Sequence, residues 1–172
     1  MKKEVLILMG SYNDFNDNVW PACEILQEFN IGWDAFVASA HRTPERVVKM
    51  VSEAKANGYK VIICAAGGAA HLAGVAAAHT CLPVVAIPVT TLVAGGLDSL
   101  LSMAQMPGDI PVGCMGTSKS GGAKNAGLFA ARIIGVTDAR VNECLRDYNG
   151  TLRGRTDRNN EMLQTLIRER TT

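Results

Sequence analysis

The sequence predicts an open parallel β-sheet covered by helices on both faces, on three observations. Short apolar runs recur at residues 5–9, 33–38, 61–66, 84–87 and 112–115. Most of them lack in–out alternation, as parallel strands buried on both faces do. Helix-length segments separate the runs, at 17–29, 44–56, 70–79, 97–105 and 123–134, and glycines such as Gly32, Gly58 and Gly135 mark junctions. Strand–helix alternation with right-handed crossovers gives a doubly wound, flavodoxin-like three-layer α/β/α sandwich on a five-stranded parallel sheet.

Each element has a local reason. Val19, Cys23 and Leu26 lie at helical spacing in the first helix, and Thr43 before Pro44 offers an N-cap to the second. Residues 61–97 contain no Asp, Glu, Lys or Arg. Gly67, Gly68, Gly74, Pro83, Pro88, Gly95 and Gly96 cut that stretch into short pieces, and Ala and Gly fill it where a membrane helix needs Leu and Ile. It reads as a segment buried on several sides, with the small side chains of 69–78 allowing close helix approach between subunits of a homo-oligomer. Residues 1–137 form the predicted catalytic domain. Residues 138–172 form a charged helical extension of it, interrupted at Asn149-Gly150, which needs a neighbouring subunit to pack on.

Composition narrows the function. The chain has 172 residues, one domain's worth, and 17 Lys plus Arg against 16 Asp plus Glu leave a formal charge of +1. No global field draws nucleic acid or a membrane surface. Cys23, Cys64, Cys81, Cys114 and Cys144 form an odd set without a C-x-x-C pair. They read as reduced, mostly packed thiols of a cytoplasmic protein, with no metal site. Glu4 and Gly10 argue against a signal peptide at the N-terminus.

Ligands of such sheets bind beyond the carboxyl ends of the strands. Three clusters fall there. In Gly10-Ser11-Tyr12-Asn13-Asp14, Ser11 and Asn13 offer donors and Asp14 an acceptor for sugar hydroxyls; the same residues also suit a plain helix cap. In Ser39-Ala40-His41-Arg42-Thr43-Pro44, Arg42 and Ser39 suit a phosphate and His41 a proton transfer at neutral pH. In Ala66-Gly67-Gly68-Ala69-Ala70-His71-Leu72, glycines admit a ligand to the backbone, and His71 is either a site residue or a satisfied core histidine. His79 reads as structural. The 117–122 loop lacks the order of a P-loop and meets an anion or caps a helix.

The blocks MGSYND, SAHRTPE, AAGGAAHLAG, GLDSLLSMAQMP and IPVG occur in this order and resemble the PurE family, class I, over about residues 5–134. The resemblance implies a flavodoxin-like octamer that moves the N5-carboxylate of carboxyaminoimidazole ribonucleotide to C4, by decarboxylation, CO2 retention and recarboxylation, with no metal or other cofactor. It makes His41 and His71 the catalytic candidates. Ser39, Arg42 and Asn13 fall to the phosphate side, and Asp14 to the ribose. Ser11, Gly67, Gly68, Ala70 and Leu72 surround the migrating carboxyl group. Arg42 after His41, and GGAAHL, resemble the mutase class more than the carboxylases that use free CO2. Asn13 and Phe15 stand where the family usually has serine and tryptophan, and Ala73 where it has proline; 90–94 and 118–124 also depart. The open alternatives are direct carboxylation of aminoimidazole ribonucleotide, a non-catalytic ribonucleotide-binding paralogue, and a flavin binder.

Overall fold

A computed structural model describes residues 2–117 and 119–171. Five parallel strands, β1 (Lys3–Met9), β2 (Gly32–Val37), β3 (Val61–Ala66), β4 (Val84–Pro88) and β5 (Gly113–Cys114), form one sheet in the order β2-β1-β3-β4-β5. The helices are α1 (Trp20–Glu28), α2 (Pro44–Glu53), α3 (Leu72–Ala78), α4 (Leu97–Ala104), α5 (Lys119–Gly135) and α6 (Ala139–Thr171). The predicted three-layer sandwich is the fold observed.

The uninterrupted apolar strands explain the layers. Val5, Ile7, Val61, Ile63 and Val85 point to one face and pack with α1, α5 and the start of α6. Their neighbours Leu6, Leu8, Ile62, Cys64 and Ala86 point to the other, against α2, α3 and Met103 of α4. A strand with period-two geometry whose every residue is apolar must be covered twice. On the first face α1 and α5 cross closely at Gly127, where a Cβ would lie 2.7 Å from the Ala22 carbonyl oxygen.

Several boundaries differ from expectation. The first helix does not begin at Asp17. A 3-10 turn (Tyr12–Asp14) and a π turn (Phe15–Val19) carry the chain from β1 into α1, which starts at Trp20 with Pro21 in its first turn. Proline there gives up only a donor that the helix would leave unpaired. β5 is shorter than 112–115. Thr43 does not cap α2 with its side chain; its hydroxyl is used within the preceding loop. Cys81 is exposed, unlike buried Cys23 and Cys64, whose thiols burial pushes up to about 12.

α6 corrects the C-terminal expectation. It runs unbroken through Asn149-Gly150 to Thr171. One exposed glycine costs a helix about 1 kcal/mol, which thirty neighbouring residues of helical sequence absorb. Val141 and Leu145 bury themselves on the first layer, and Tyr148 packs edge-on against Phe29 at 5.7 Å. Beyond Gly150 the side chains are exposed and the helix extends roughly 30 Å. Among the described residues no helix is long and apolar enough to cross a membrane.

Candidate active site

The chain passes from β1 out to β2 and returns across β1 to β3, so the loops after β1 and β3 diverge above the sheet and leave a crevice. A cleft of about 400 Å³ lies there, lined by residues of all three predicted clusters. A larger groove, about 640 Å³, runs along the edge strand β2 over Trp33, Phe36 and Val37. It is apolar, and its Lys3 and Asp34 are already paired at 3.1 Å. The chemistry favours the smaller cleft.

Two histidines meet in that cleft. His41 Nε2 lies 2.8 Å from His71 Nδ1, with the rings edge to face at 4.9 Å between centroids. Both side chains are exposed, so His71 is not the satisfied core histidine that its apolar surroundings allowed. One nitrogen of the contact carries the proton and the other accepts it.

Around the pair the loops supply hydroxyls with a particular polarity. Ser39 Oγ accepts the backbone N–H groups of His41 and Arg42, at 3.4 and 3.3 Å. Ser11 Oγ accepts the N–H of Asn13 at 3.2 Å. A hydroxyl oxygen engaged as an acceptor still has its own hydrogen to donate to an anionic ligand. Arg42 Nη2 donates to the Gly10 carbonyl at 2.7 Å, tying the first loop to the second and holding a guanidinium at the cleft's edge. Asp14 is half-buried beside Ser11. Burial pushes its carboxyl up from the ordinary value of 3.8, and a backbone hydrogen bond at Ser11 partly opposes this.

Of the predicted residues, Ser11, Asp14, Ser39, His41, Arg42, Gly67, His71 and Leu72 line the cleft. Asn13, Gly68 and Ala70 do not. Asn13 faces solvent past the 3-10 turn, Ala70 is buried under the turn, and the Gly68 peptide is turned toward α4. Gly10, Ala40, Ala66 and Ala69 complete the lining; nothing in an alanine's chemistry announces it. The cleft is open in one chain: His41, His71, Gly67 and Ala69 are all exposed. The departures sit quietly: Phe15 packs on Trp20 at 5.8 Å, and Ala73 is buried in the first turn of α3, a position that tolerates proline equally. Of the predicted 117–122 loop, residues 119–122 belong to α5, and Ser118 lies outside the described residues.

Sequence reasoning placed the helix α4 but missed what its serines do at the site. Ser99, fully buried, donates through Oγ to the Val89 carbonyl at 2.8 Å and accepts the Gly68 N–H at 3.0 Å. Ser102 Oγ donates to the Gly68 carbonyl at 3.1 Å. The GLDSLLSMAQMP block marked this helix, but its partners lie more than thirty residues away. Among the described residues no group of three or more His, Cys, Asp or Glu side chains is arranged to hold a metal ion.

Comparisons with known proteins identify the family. The family model described as AIR carboxylase matches residues 4–154. An N5-carboxyaminoimidazole ribonucleotide mutase of Saccharolobus solfataricus is 43% identical over 95% of this chain and 98% of its own. Proteins of that name from Pyrococcus horikoshii and Bacillus subtilis are 40% and 47% identical, the former over 99% of this chain and 96% of its own, the latter over 80% and 84%. The crystal structure of Treponema denticola PurE superposes with a TM-score of 0.80 at 27% identity, over 94% of this chain and 98% of that one. The chain belongs to the AIR carboxylase family, PurE.

Proposed function

We propose that the protein is an N5-carboxyaminoimidazole ribonucleotide mutase, an isomerase of purine biosynthesis that moves the substrate's N5-carboxylate to C4 of the imidazole ring. The observation that carries this reading is the His41–His71 contact inside a strand-end cleft, in a chain whose curated relatives bear that name.

The proton balance fits the site. When the carbon–nitrogen bond to the carboxylate breaks, CO2 leaves and N5 takes up one proton. When C4 attacks the retained CO2, a carbon–carbon bond forms and C4 then gives up one proton, restoring the aromatic ring. The two transfers cancel. One resident imidazole that donates and then accepts returns to its starting state, and His41, held by His71, is placed for both steps. Ser39 and Arg42 present donors and charge to the phosphate side, Ser11 a donor to the migrating carboxyl group, and Asp14 accepts from ribose hydroxyls. The small apolar wall of Ala66, Gly67, Ala69 and Leu72 hydrates a carboxylate poorly, which raises its energy relative to neutral CO2.

The test is an absorbance assay with the N5-carboxylated substrate, comparing wild type with His41→Asn. Loss of a general acid–base costs about 10²- to 10⁴-fold in rate. Equal rates would remove His41 from this role. The name of the matching family model supports a second reading, direct carboxylation of aminoimidazole ribonucleotide. That enzyme would turn over aminoimidazole ribonucleotide with free CO2 and ignore the N5-carboxylated compound.

The chain works in this reading as a homo-oligomer, an octamer by family resemblance, in which a neighbour closes the open cleft. Exposed Met162, Leu163, Leu166 and Ile167 on the outer part of α6 support it. Light scattering should give a mass far above 18.3 kDa; a stable monomer would contradict it.

A further inference from the structure

We infer that Ser99 and Ser102 of α4 are positioning residues for the reaction, clamping the peptide groups of Gly68 so that the turn after β3 holds His71 against His41. This rests on the mutase reading for its chemistry and on geometry for its mechanics.

The turn holds itself by one backbone bond, His71 N–H to the Ala69 carbonyl at 2.9 Å, which leaves Gly68 unrestrained. Residues 67–70 are Gly-Gly-Ala-Ala, without a side chain able to bond a backbone group, and Gly68 has φ +69°, a left-handed conformation. Glycine reaches that region freely and leaves it as freely. Yet the turn must deliver His71 Nδ1 to 2.8 Å from His41 Nε2. The missing restraint comes from across the sheet end. Ser99 is fully withdrawn from solvent, one of two buried polar or charged residues among those described, with Glu4. Its hydroxyl spends its hydrogen on the Val89 carbonyl and its lone pair on the Gly68 N–H, at 2.8 and 3.0 Å. Ser102, one helical turn on, shares its one hydroxyl hydrogen between the Gly68 carbonyl at 3.1 Å and the Asp98 carbonyl of its own helix at 2.8 Å. Both peptide groups flanking the Gly68 Cα are thus held by one helix face, at i and i+3. The backbone rotation that would swing His71 away breaks both bonds.

Replacing either hydroxyl therefore acts on the reaction without touching the ligand. Misplacement of a reacting group by about 1 Å costs on the order of 10²-fold in rate. A loosened turn also opens the wall around CO2, so part of the substrate should leave as aminoimidazole ribonucleotide.

The experiment compares wild type, Ser99→Ala, Ser102→Ala and Met103→Val. The last perturbs the buried face of α4 without reaching Gly68. Product, free aminoimidazole ribonucleotide and the hydrogen exchange of peptides covering 67–72 are followed together. The serine variants should lose about tenfold to a hundredfold in kcat with KM within threefold, release free aminoimidazole ribonucleotide, and exchange faster in 67–72. Met103→Val should lower Tm while keeping the product ratio. Ser102 is only half-buried, so its variant decides should Ser99→Ala fail to fold. Unchanged exchange and partitioning in folded Ser102→Ala would overturn the clamp. Wild type without turnover would sink the mutase reading separately, and exchange alone would then decide the clamp.

Discussion

The two loops that bring the histidines together are built in opposite ways. The β2–α2 loop holds itself. Ser39 and Thr43 exchange bonds across one turn, Ser39 N–H to Thr43 Oγ1 at 3.0 Å and Thr43 N–H to the Ser39 carbonyl at 2.9 Å. Ser39 Oγ then gathers the N–H groups of His41 and Arg42. The β3–α3 turn contains no such side chain, and its form is imposed by Ser99 and Ser102 from 31 and 34 residues away. A polar loop can orient its own catalytic group but brings charge and water with it. An apolar turn offers few groups that bind water and must borrow its rigidity.

The comparison is broken most severely at Gly68. In Gly68→Ala the new Cβ meets nothing within 4 Å, so crowding is absent and only the left-handed backbone is penalised. That strain amounts to about 1–2 kcal/mol. The turn can relieve it only by pulling out of the α4 bonds. The expected outcome is a Tm lowered by several degrees together with a kcat loss of tens-fold, read by thermal unfolding and the substrate assay. A variant with wild-type kcat would show that the turn tolerates another path.

Ser39→Ala probes the self-held loop and should act differently. It removes the acceptor for two exposed N–H groups that water can satisfy, so stability should change by less than about 1 kcal/mol. The hydroxyl proposed for the ligand's phosphate disappears as well, so KM should rise about tenfold, the loss of one hydrogen bond to a charged group. A kcat loss with unchanged KM would place Ser39 with the reacting atoms instead.

The same contrast explains what was legible in the sequence. Alternating apolar runs and helical spacing prescribe the sheet and its covering helices, because burial on two faces is a local property of each strand. SAHRT was legible because a donor, an acid–base group and a cation at one strand end have few other uses, and because Ser39 and Thr43 bond within four residues, although Arg42 and His41 reach Gly10 and His71 on other loops. His71 was ambiguous because its neighbours are apolar and its partner, His41, is 30 residues away. Ser99 was invisible as a contributor, since a serine near a helix start reads as a cap and only the crossing of α4 over the β3 end makes it a clamp. Asn149-Gly150 misled for the converse reason: local propensity marks a break, and the helix continues through it.

Acid should separate the supports further, because two aspartates are shifted in opposite directions from 3.8. Asp14 is raised, chiefly by burial. Its ionised form is penalised by folding, so protonation as pH falls through the raised value relieves the fold while removing an acceptor from the ribose. Asp98 is lowered, chiefly by the Thr91 hydroxyl, which donates to its carboxylate at 2.7 Å; the Ser99 N–H also donates, at 2.8 Å. Its contribution to stability is present above 3.8 and is lost as pH falls through the lower folded value. KM should therefore rise first on acidification, above the ordinary 3.8, with Tm rising slightly in the Asp14 step; a small loss of stability at the α4 end should follow below 3.8. Asp14→Asn should abolish the first step, raising KM at neutral pH and Tm slightly. Asp98→Asn should abolish only the second. Titration of KM and Tm in the three proteins tests the order, and coincident steps would mean that the ribose side and the α4 support respond to the same group.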